Sequence, residues 1–510
     1  MKEFSWKDAI QSIWHRPVIV MVFLGFSAGI PILLIFSTLS VWLREAEVSR
    51  VTIGFFSWAA LGYAFKFVWA PIIDKLPLPY FNKIFGRRKS WLLLSQLAIV
   101  VSLILMAIND PSVSLSMTAV FAIILGFSSA TQDIVIDAYR IETAIQEFQG
   151  LMSSGYITGY RIGMLVAGAG ALELASFFES GQEYDFRAWS HTYLVMASIM
   201  LIVIIITLFI PEPSPPALRK EPVKERVDYF RFALFFIAGA AVFFGCFSLL
   251  FGSVEKVIGV LISKYELTFV AASFFVESLR LIISILVTFL FGKTVIQAEF
   301  ITKELIVDIY FDPVLDFFNR YGKTAILIIL LISTYRISDV VMGVMANVFY
   351  IDIGFEKEEI GRVIKGFGLI MTILGGFLGG LGILRYGIMR VLFVGAVMTA
   401  STNLLFVLLA ERGHDLSMLI FVVSADNVSA GIASAAFVAY LSSLTNMAFT
   451  ASQYALFSSL MILFPKILAG YSGMIVDFIG YTGFFYGTFF LGLPVIALIA
   501  FSMKIKSEIK

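Results

Sequence analysis

The sequence predicts an all-α polytopic membrane protein of fourteen transmembrane helices: two six-helix bundles with two extra helices inserted between them. Three observations lead there. Apolar runs recur from end to end of the 510-residue chain. Basic residues fall mostly on one side once those runs are threaded through a bilayer. The first six runs also find an echo in the last six.

The chain is 59% hydrophobic and only 14% charged, where ordinary soluble domains carry about 25% charged residues. Each apolar run is close to the roughly 20 residues needed to cross hydrocarbon, and no polar stretch is long enough for a separate soluble domain. The start, "MKEFSWKDAIQSIWHRP", is too long and too mixed in charge for a signal peptide. Residues 1–17 read instead as an interfacial segment, with Phe4, Trp6, Ile10, Ile13 and Trp14 on its apolar side. Spans near 18–42, 52–73, 90–108, 116–140, 150–175 and 191–210 form a first bundle over 18–210. A linker, 211–229, precedes an inserted pair over 230–291, with spans near 230–251 and 267–291. An amphipathic segment, 292–323, leads to a second bundle over 324–503 and a tail, 504–510. Its spans lie near 324–350, 359–384, 387–411, 416–443, 449–475 and 482–503.

With the N-terminus inside, the interior segments hold Lys7, Arg16, Lys75, Lys83, Arg87, Arg88, Lys89, Arg219, Lys220, Lys293, Arg320, Arg385, Arg390 and the tail lysines. The opposite loops carry far fewer, among them Arg44, Lys256 and Arg412. That asymmetry puts both termini in the cytoplasm.

The repeat decides the architecture. "VWLREAEVSRVTIGFF" (41–56) resembles "FYIDIGFEKEEIGRVI" (349–364), with Gly54 and Gly361 in register 307 positions apart. "DAYR" at 137–140 and "VAYL" at 438–441 share Ala-Tyr, and Gln149 with Ser153-Ser154 has a counterpart in Gln453 with Ser458-Ser459. Six spans repeated in parallel around a central cavity is the major facilitator architecture.

Charge inside the spans marks the candidate site. In "TQDIVIDAYR" (131–140), Asp133, Asp137 and Arg140 are spaced i, i+4, i+7 and share one helix face, with Gln132 beside them. An ionised group at mid-bilayer costs roughly 2.5–3.5 kcal/mol on the insertion scale, so this face looks into the protein or a wet cavity. Lys66, Arg161, Arg336, Asp339, Asp426, Asn427 and Lys466 are further polar intrusions. A cavity with both signs suits a large zwitterionic or multiply charged solute. Arg161 and Arg336, one per bundle, are candidates for gripping substrate carboxylates, since Arg offers a fixed fork of donors. Gln132, Lys66, Asn427 and Lys466 complete the substrate-binding set. Proton-coupling candidates are Asp133, Asp137, Asp426 and Asp339. Two carboxylates one turn apart favour one of them holding a proton, and Asp426 has no basic residue within reach on its own helix. The bland alternative is that Asp137 with Arg140, and Arg336 with Asp339, simply neutralise each other.

Gating residues are expected at two places. "DKLPLPYFNKIFGRRKS" (74–90) offers a latch of Asp74 with Arg87 and Arg88, although the basic residues also serve as interior anchors. Gly155, Gly159 and Gly163 form a stripe at four-residue spacing. Such a stripe is read as a sliding surface between the bundles, or as ordinary close packing.

These residues resemble a known family. "SSATQDIVIDAYR", "GFSAGIPILLIFSTLSVWLRE", "FKFVWAPIIDKLPLP" and "YRISDVVMGVMANVFYIDIGF" are similar to the AmpG muropeptide permeases, in the facilitator branch that includes acetyl-CoA transporters. The resemblance covers nearly the whole chain. It implies proton-driven import of N-acetylglucosaminyl-1,6-anhydro-N-acetylmuramyl peptides across the inner membrane of a Gram-negative bacterium, for cell-wall recycling, with support of β-lactamase induction. The runner-up is a carrier of acyl-CoA or another anionic metabolite; a proton-antiport exporter comes third. No enzyme is expected: His15, His191 and His414 are the only histidines, all at span ends or in loops. Cys246 is the only cysteine, so no internal disulfide or Cys-rich metal site forms. No cofactor, metal or nucleic acid is expected, and the bilayer, protons and the muropeptide are the partners of an expected monomer.

Overall fold

The computed structural model describes residues 6–49, 52–53, 56, 61–78, 80–143, 145–181, 184–213, 226–265 and 269–508. Most of the linker expected at 211–229 therefore lies outside the described residues. Thirteen helices among them are long and apolar enough to cross a membrane. The expected span 52–73 is represented by Leu61–Phe65, the 3-10 turn Lys66–Val68 and the start of Ala70–Lys75. Its remainder falls partly outside the described residues.

Helices dominate because a chain in hydrocarbon must satisfy each backbone N–H and C=O within the segment itself. In the first half they are α1 (Arg16–Glu45), α2 (Ala70–Lys75), α3 (Arg87–Ala107), α4 (Leu115–Thr143), α5 (Gln146–Phe178) and α6 (Phe186–Phe209). The chain then enters a separate compact unit, Lys220–Asp316. It holds α7 (Arg226–Leu249), α8 (Phe251–Tyr265) and α9 (Phe269–Gln297). Helix α8 stands where a connection between two spans is expected. Arg280 on α9 is buried and ties α9 to α7: its Nε donates to the Phe247 carbonyl at 2.7 Å, and its guanidinium lies 3.6 Å from the Phe247 ring centre. The Glu277 side chain, a natural ion-pair partner in the sequence, is outside the described ones.

The second half contains α10 (Thr324–Asp352), α11 (Glu358–Tyr386), α12 (Ile388–Arg412), α13 (Leu416–Leu444), α14 (Met447–Ala469) and α15 (Ser472–Lys504). Residues 1–219 and 317–510 form one compact unit. Each half has its own apolar core. Leu39, Trp42, Leu103, Trp189 and Tyr193 lie in the first, and Phe349, Phe406, Phe437 and Phe485 in the second.

Two features set the halves' internal geometry. The first helix of each half is interrupted midway: α1 at Phe36 (φ −105°, ψ −95°), and α10 at Tyr335–Arg336. Broken helices of this kind free backbone groups where a membrane protein lines a cavity. The second feature corrects the expected role of Gly155, Gly159 and Gly163. They pack on α1 inside the first half and do not face the second. A Cβ on Gly159 would lie 1.8 Å from the Val22 carbonyl oxygen, and one on Gly163 2.4 Å from that of Phe26. Gly25 and Gly29 return the contact against Tyr156 and Tyr160. Without Cβ atoms, α1 and α5 touch backbone to backbone. The contact between halves uses another face of α5, where Ser154, next to Gly155, donates to the Gly376 carbonyl of α11 at 2.6 Å, beside Gly380.

Candidate functional site

Two charged clusters and a latch emerge from this packing. The α4 face holds the first cluster. Lys66, in the 3-10 turn preceding α2, reaches Asp137 at 3.7 Å, and Arg140 reaches the same carboxylate at 3.2 Å. Lys66 thus turns to Asp137 and does not reach down towards Asp74. Asp133, one turn up, has the Tyr156 hydroxyl and the Lys66 ammonium as polar neighbours, and its Oδ1 is buried without a hydrogen-bond partner. Gln132 is fully buried with neither side-chain atom paired. Buried polar atoms are nearly always hydrogen-bonded, so these unpaired atoms are exceptions on the α4 face.

The second cluster joins the halves. Arg161, midway along α5, is exposed, within electrostatic reach of Arg336 and Asp339 of α10 and of Tyr160. Tyr160 is also within reach of Asp133. Arg336 and Asp339 pair with each other, yet their side chains stay 33% and 24% exposed. Both lie at the break in α10.

The remaining expected residues stand apart. Asp426 on α13 is half-buried and bonded to Thr402 of α12 at 3.2 Å. Asp339 is within its electrostatic reach, and Lys466 is not paired with it. Lys466 is exposed and forms no ion pair among the described residues. Asn427 is taken up by packing: its Oδ1 accepts from Thr372 at 2.7 Å and its Nδ2 donates to the Val423 carbonyl at 2.9 Å. Its side chain lies beside Gly368, so Asn427 holds α11 against α13.

The latch forms, and it is larger than the sequence suggests. Arg88 donates to Asp74 at 2.7 Å and to Glu142 at 2.6 Å, and Arg87 to Glu142 at 2.9 Å. Gly86 makes the turn at φ +87°, and a Cβ there would strike Glu212 at 2.4 Å. Glu212 in turn accepts from the first backbone N–H groups of α3, at Arg88 and Lys89. The other half contributes the start of α14. Asp74 accepts from the backbone N–H of Ala451 at 3.0 Å, the N–H of Ser452 at 2.6 Å and the Ser452 hydroxyl at 2.7 Å. A carboxylate at a helix N-terminus satisfies orphan donors and meets the positive end of the macrodipole. Burial pushes the Asp74 carboxyl up, but Arg88, Arg87 and the Ser452 hydroxyl outweigh it and hold it below the usual carboxylate range.

Residues 67–302 match the Major Facilitator Superfamily model, and residues 18–112 match that of acetyl-coenzyme A transporter 1. A Rickettsia conorii protein named AmpG 4 is 31% identical over 478 residues, covering 94% of each chain. The chain belongs to the AmpG family of major facilitator transporters. The anhydromuropeptide permease of Escherichia coli K12 is 28% identical over 481 residues, covering 94% of this chain and 78% of that one. FucP, a facilitator transporter solved in its outward conformation, superposes with a TM-score of 0.59 at 10% identity, covering 96% of this chain and 99% of that one. This AmpG-family protein is therefore a multi-pass inner-membrane bacterial transporter, and not an enzyme.

Several functional residues escaped the sequence. Glu142, Thr450, Ser452 and Glu212 complete the latch, yet they lie far from Arg88 in sequence and carry no local pattern. Glu142 has the only available signal: it continues the polar end of α4, two residues beyond Arg140.

Proposed function

We propose that this transporter imports anhydromuropeptides from periplasm to cytoplasm, driven by protons, for cell-wall recycling, and so supports β-lactamase induction. The supporting observation is the mixed-sign pair of clusters in a chain related to an anhydromuropeptide permease. Stem-peptide carboxylates are met by Arg161 and Arg336, and the substrate amine by Asp137 or Asp339. Asp133 carries the proton, with Asp426 as its rival. The latch end faces the cytoplasm together with both termini, and Asp74, Arg87 and Arg88 close that gate.

The test is uptake into proteoliposomes of labelled anhydromuropeptide against labelled acetyl-CoA, with and without an imposed pH gradient. Accumulation of the muropeptide alone, dependent on the gradient, is the expected result. Accumulation of acetyl-CoA favours the second reading, an acyl-CoA carrier, which draws support from the match over residues 18–112. Asp133→Asn should still exchange labelled for unlabelled substrate but lose accumulation; if it accumulates normally and Asp426→Asn does not, Asp426 takes the role.

A further inference from the structure

Arg140 stands between the Asp137 cluster and the latch, and it touches both halves. Its guanidinium is fully buried. Nη2 donates to Asp137 at 3.2 Å, and Nη1 donates to the Gln149 side-chain oxygen at 3.1 Å and to the Ser442 hydroxyl oxygen of α13 at 2.7 Å. Ser442 spends its own proton on the Val438 carbonyl, so it can only accept from Arg140. The guanidinium also lies 5.0 Å from the ring centre of Tyr454. Tyr454 sits on α14 two residues after Ser452, in the turn that Asp74 and Arg88 hold through Thr450–Ser452. Across the interface, then, every partner of Arg140 is neutral, and its ion pair is with Asp137 alone among the described residues.

We propose that Arg140 transmits the charge state of Asp137 to the latch. Asp137 is shared with Lys66 and is 14% exposed, within reach of a proton or a solute amine. The other titratable groups around it are Asp133 on α4, Tyr156 on α5 and Tyr454 on α14. While Asp137 is ionised, it balances Arg140, and the dry contact with Ser442 and Tyr454 is stable. Neutralising Asp137, or drawing it towards a bound cation, leaves a buried guanidinium without its counter-charge. An uncompensated buried charge is strongly unfavourable. Parting α4 from α13 and α14 relieves it by admitting water, and α14 carries away the donors that hold Asp74. Arg140 acts here as a positioning residue; no contact of its own with solute is required.

The test reads the latch directly and uses no substrate, so its outcome is independent of which solute is carried. In a Cys246→Ser background, spin labels at Ile84 and Met447, both exposed and one on each half, report the separation of the latch end by pulsed electron resonance. The parent should show one short-distance population. Asp137→Asn should raise the long-distance fraction at least threefold, and Asp137→Asn with Arg140→Gln should return it to the parent value, a double-mutant cycle with large coupling. Asp137→Asn with Lys66→Gln keeps Arg140 and should stay open. An unchanged distribution in Asp137→Asn overturns the proposal. So does closure restored by Lys66→Gln, or a double Arg140 variant as open as Asp137→Asn alone. If the Arg140→Gln protein does not insert, Arg140→Met provides the neutral side chain and the same outcomes apply.

Discussion

The two halves share a break in the first helix, at Phe36 in α1 and at Tyr335–Arg336 in α10, yet they furnish the interface with different chemistry. The first half supplies buried formal charge, Lys66, Asp74, Arg88, Asp133 and Arg140, with the partly exposed Asp137 among them. The second answers at the latch with neutral groups, namely the hydroxyls of Ser442, Thr450 and Ser452 and the first N–H groups of α14. Its own charges, Arg336 and Asp339, remain partly exposed. The difference teaches how a gate can be strong and still open. Charges that balance within one half remain compensated when the other half leaves, and only dipole contacts must be exchanged for water.

Close packing breaks the comparison most severely. Gly159→Ala drives a methyl group into the Val22 carbonyl, backbone against backbone, so no monodisperse protein is expected by size-exclusion chromatography in detergent. Gly376→Ala should leave a folded protein, because its Cβ would meet Ser154 at an ordinary 3.8 Å. Equal behaviour of the two variants would erase the distinction between a fixed contact within one half and a separable contact between halves.

The latch offers the next test. Arg88→Ala leaves Asp74 and Glu142 buried without their shared cation and should cost about 3–5 kcal/mol in unfolding free energy. On the other side of the interface, Ser452→Ala removes one hydroxyl from a carboxylate that keeps both backbone donors, and should cost about 1.5–2 kcal/mol. Denaturant titration of the two variants in the same detergent checks the ratio.

A third comparison uses the exposed charges. Arg161→Lys and Arg336→Lys keep charge but lose the forked donor, and each should lower uptake about tenfold, the weight of one charge-assisted hydrogen bond. Full uptake by Arg161→Ala at equal protein level would remove carboxylate binding from the first half.

The smallest effect expected is that of pH on the latch. The Asp74 carboxyl is held below its ordinary value, so its contribution is complete above the unfolded pKa and is lost only as pH falls through the lower folded one. Label separation at the latch should therefore be flat from pH 8 to about 4 in the Asp137→Asn, Arg140→Gln background. A transition near neutrality there would mean that another group titrates within the gate.

What the sequence revealed follows from the range of each signal. Apolar runs are local, so most of the spans could be placed from composition alone, thirteen of them matching helices among the described residues long enough to cross a membrane. The Asp74–Arg88 pair was readable because an acid at a helix end and a Gly-Arg-Arg turn lie in one short loop. Periodicity identified the stripe at Gly155, Gly159 and Gly163, but a helix face does not name its neighbour, and the partner proved to be α1. Asn427 looked like a cavity residue because it adjoins Asp426; its actual bond, to Thr372, depends on how α11 packs against α13. The break at Arg336 left no composition signal, since neither Gly nor Pro accompanies it.

The four charges that meet at the start of α14, Asp74, Arg87, Arg88 and Glu142, sum to zero. A membrane potential does work on net charge, about 2.3 kcal/mol per elementary charge for each 100 mV crossed. This ion-paired core of the latch presents no net charge to the field, so energising the membrane exerts no net force on these four groups. Any electrical driving force on transport must act elsewhere, on the carried species and on charges outside this core such as Arg161.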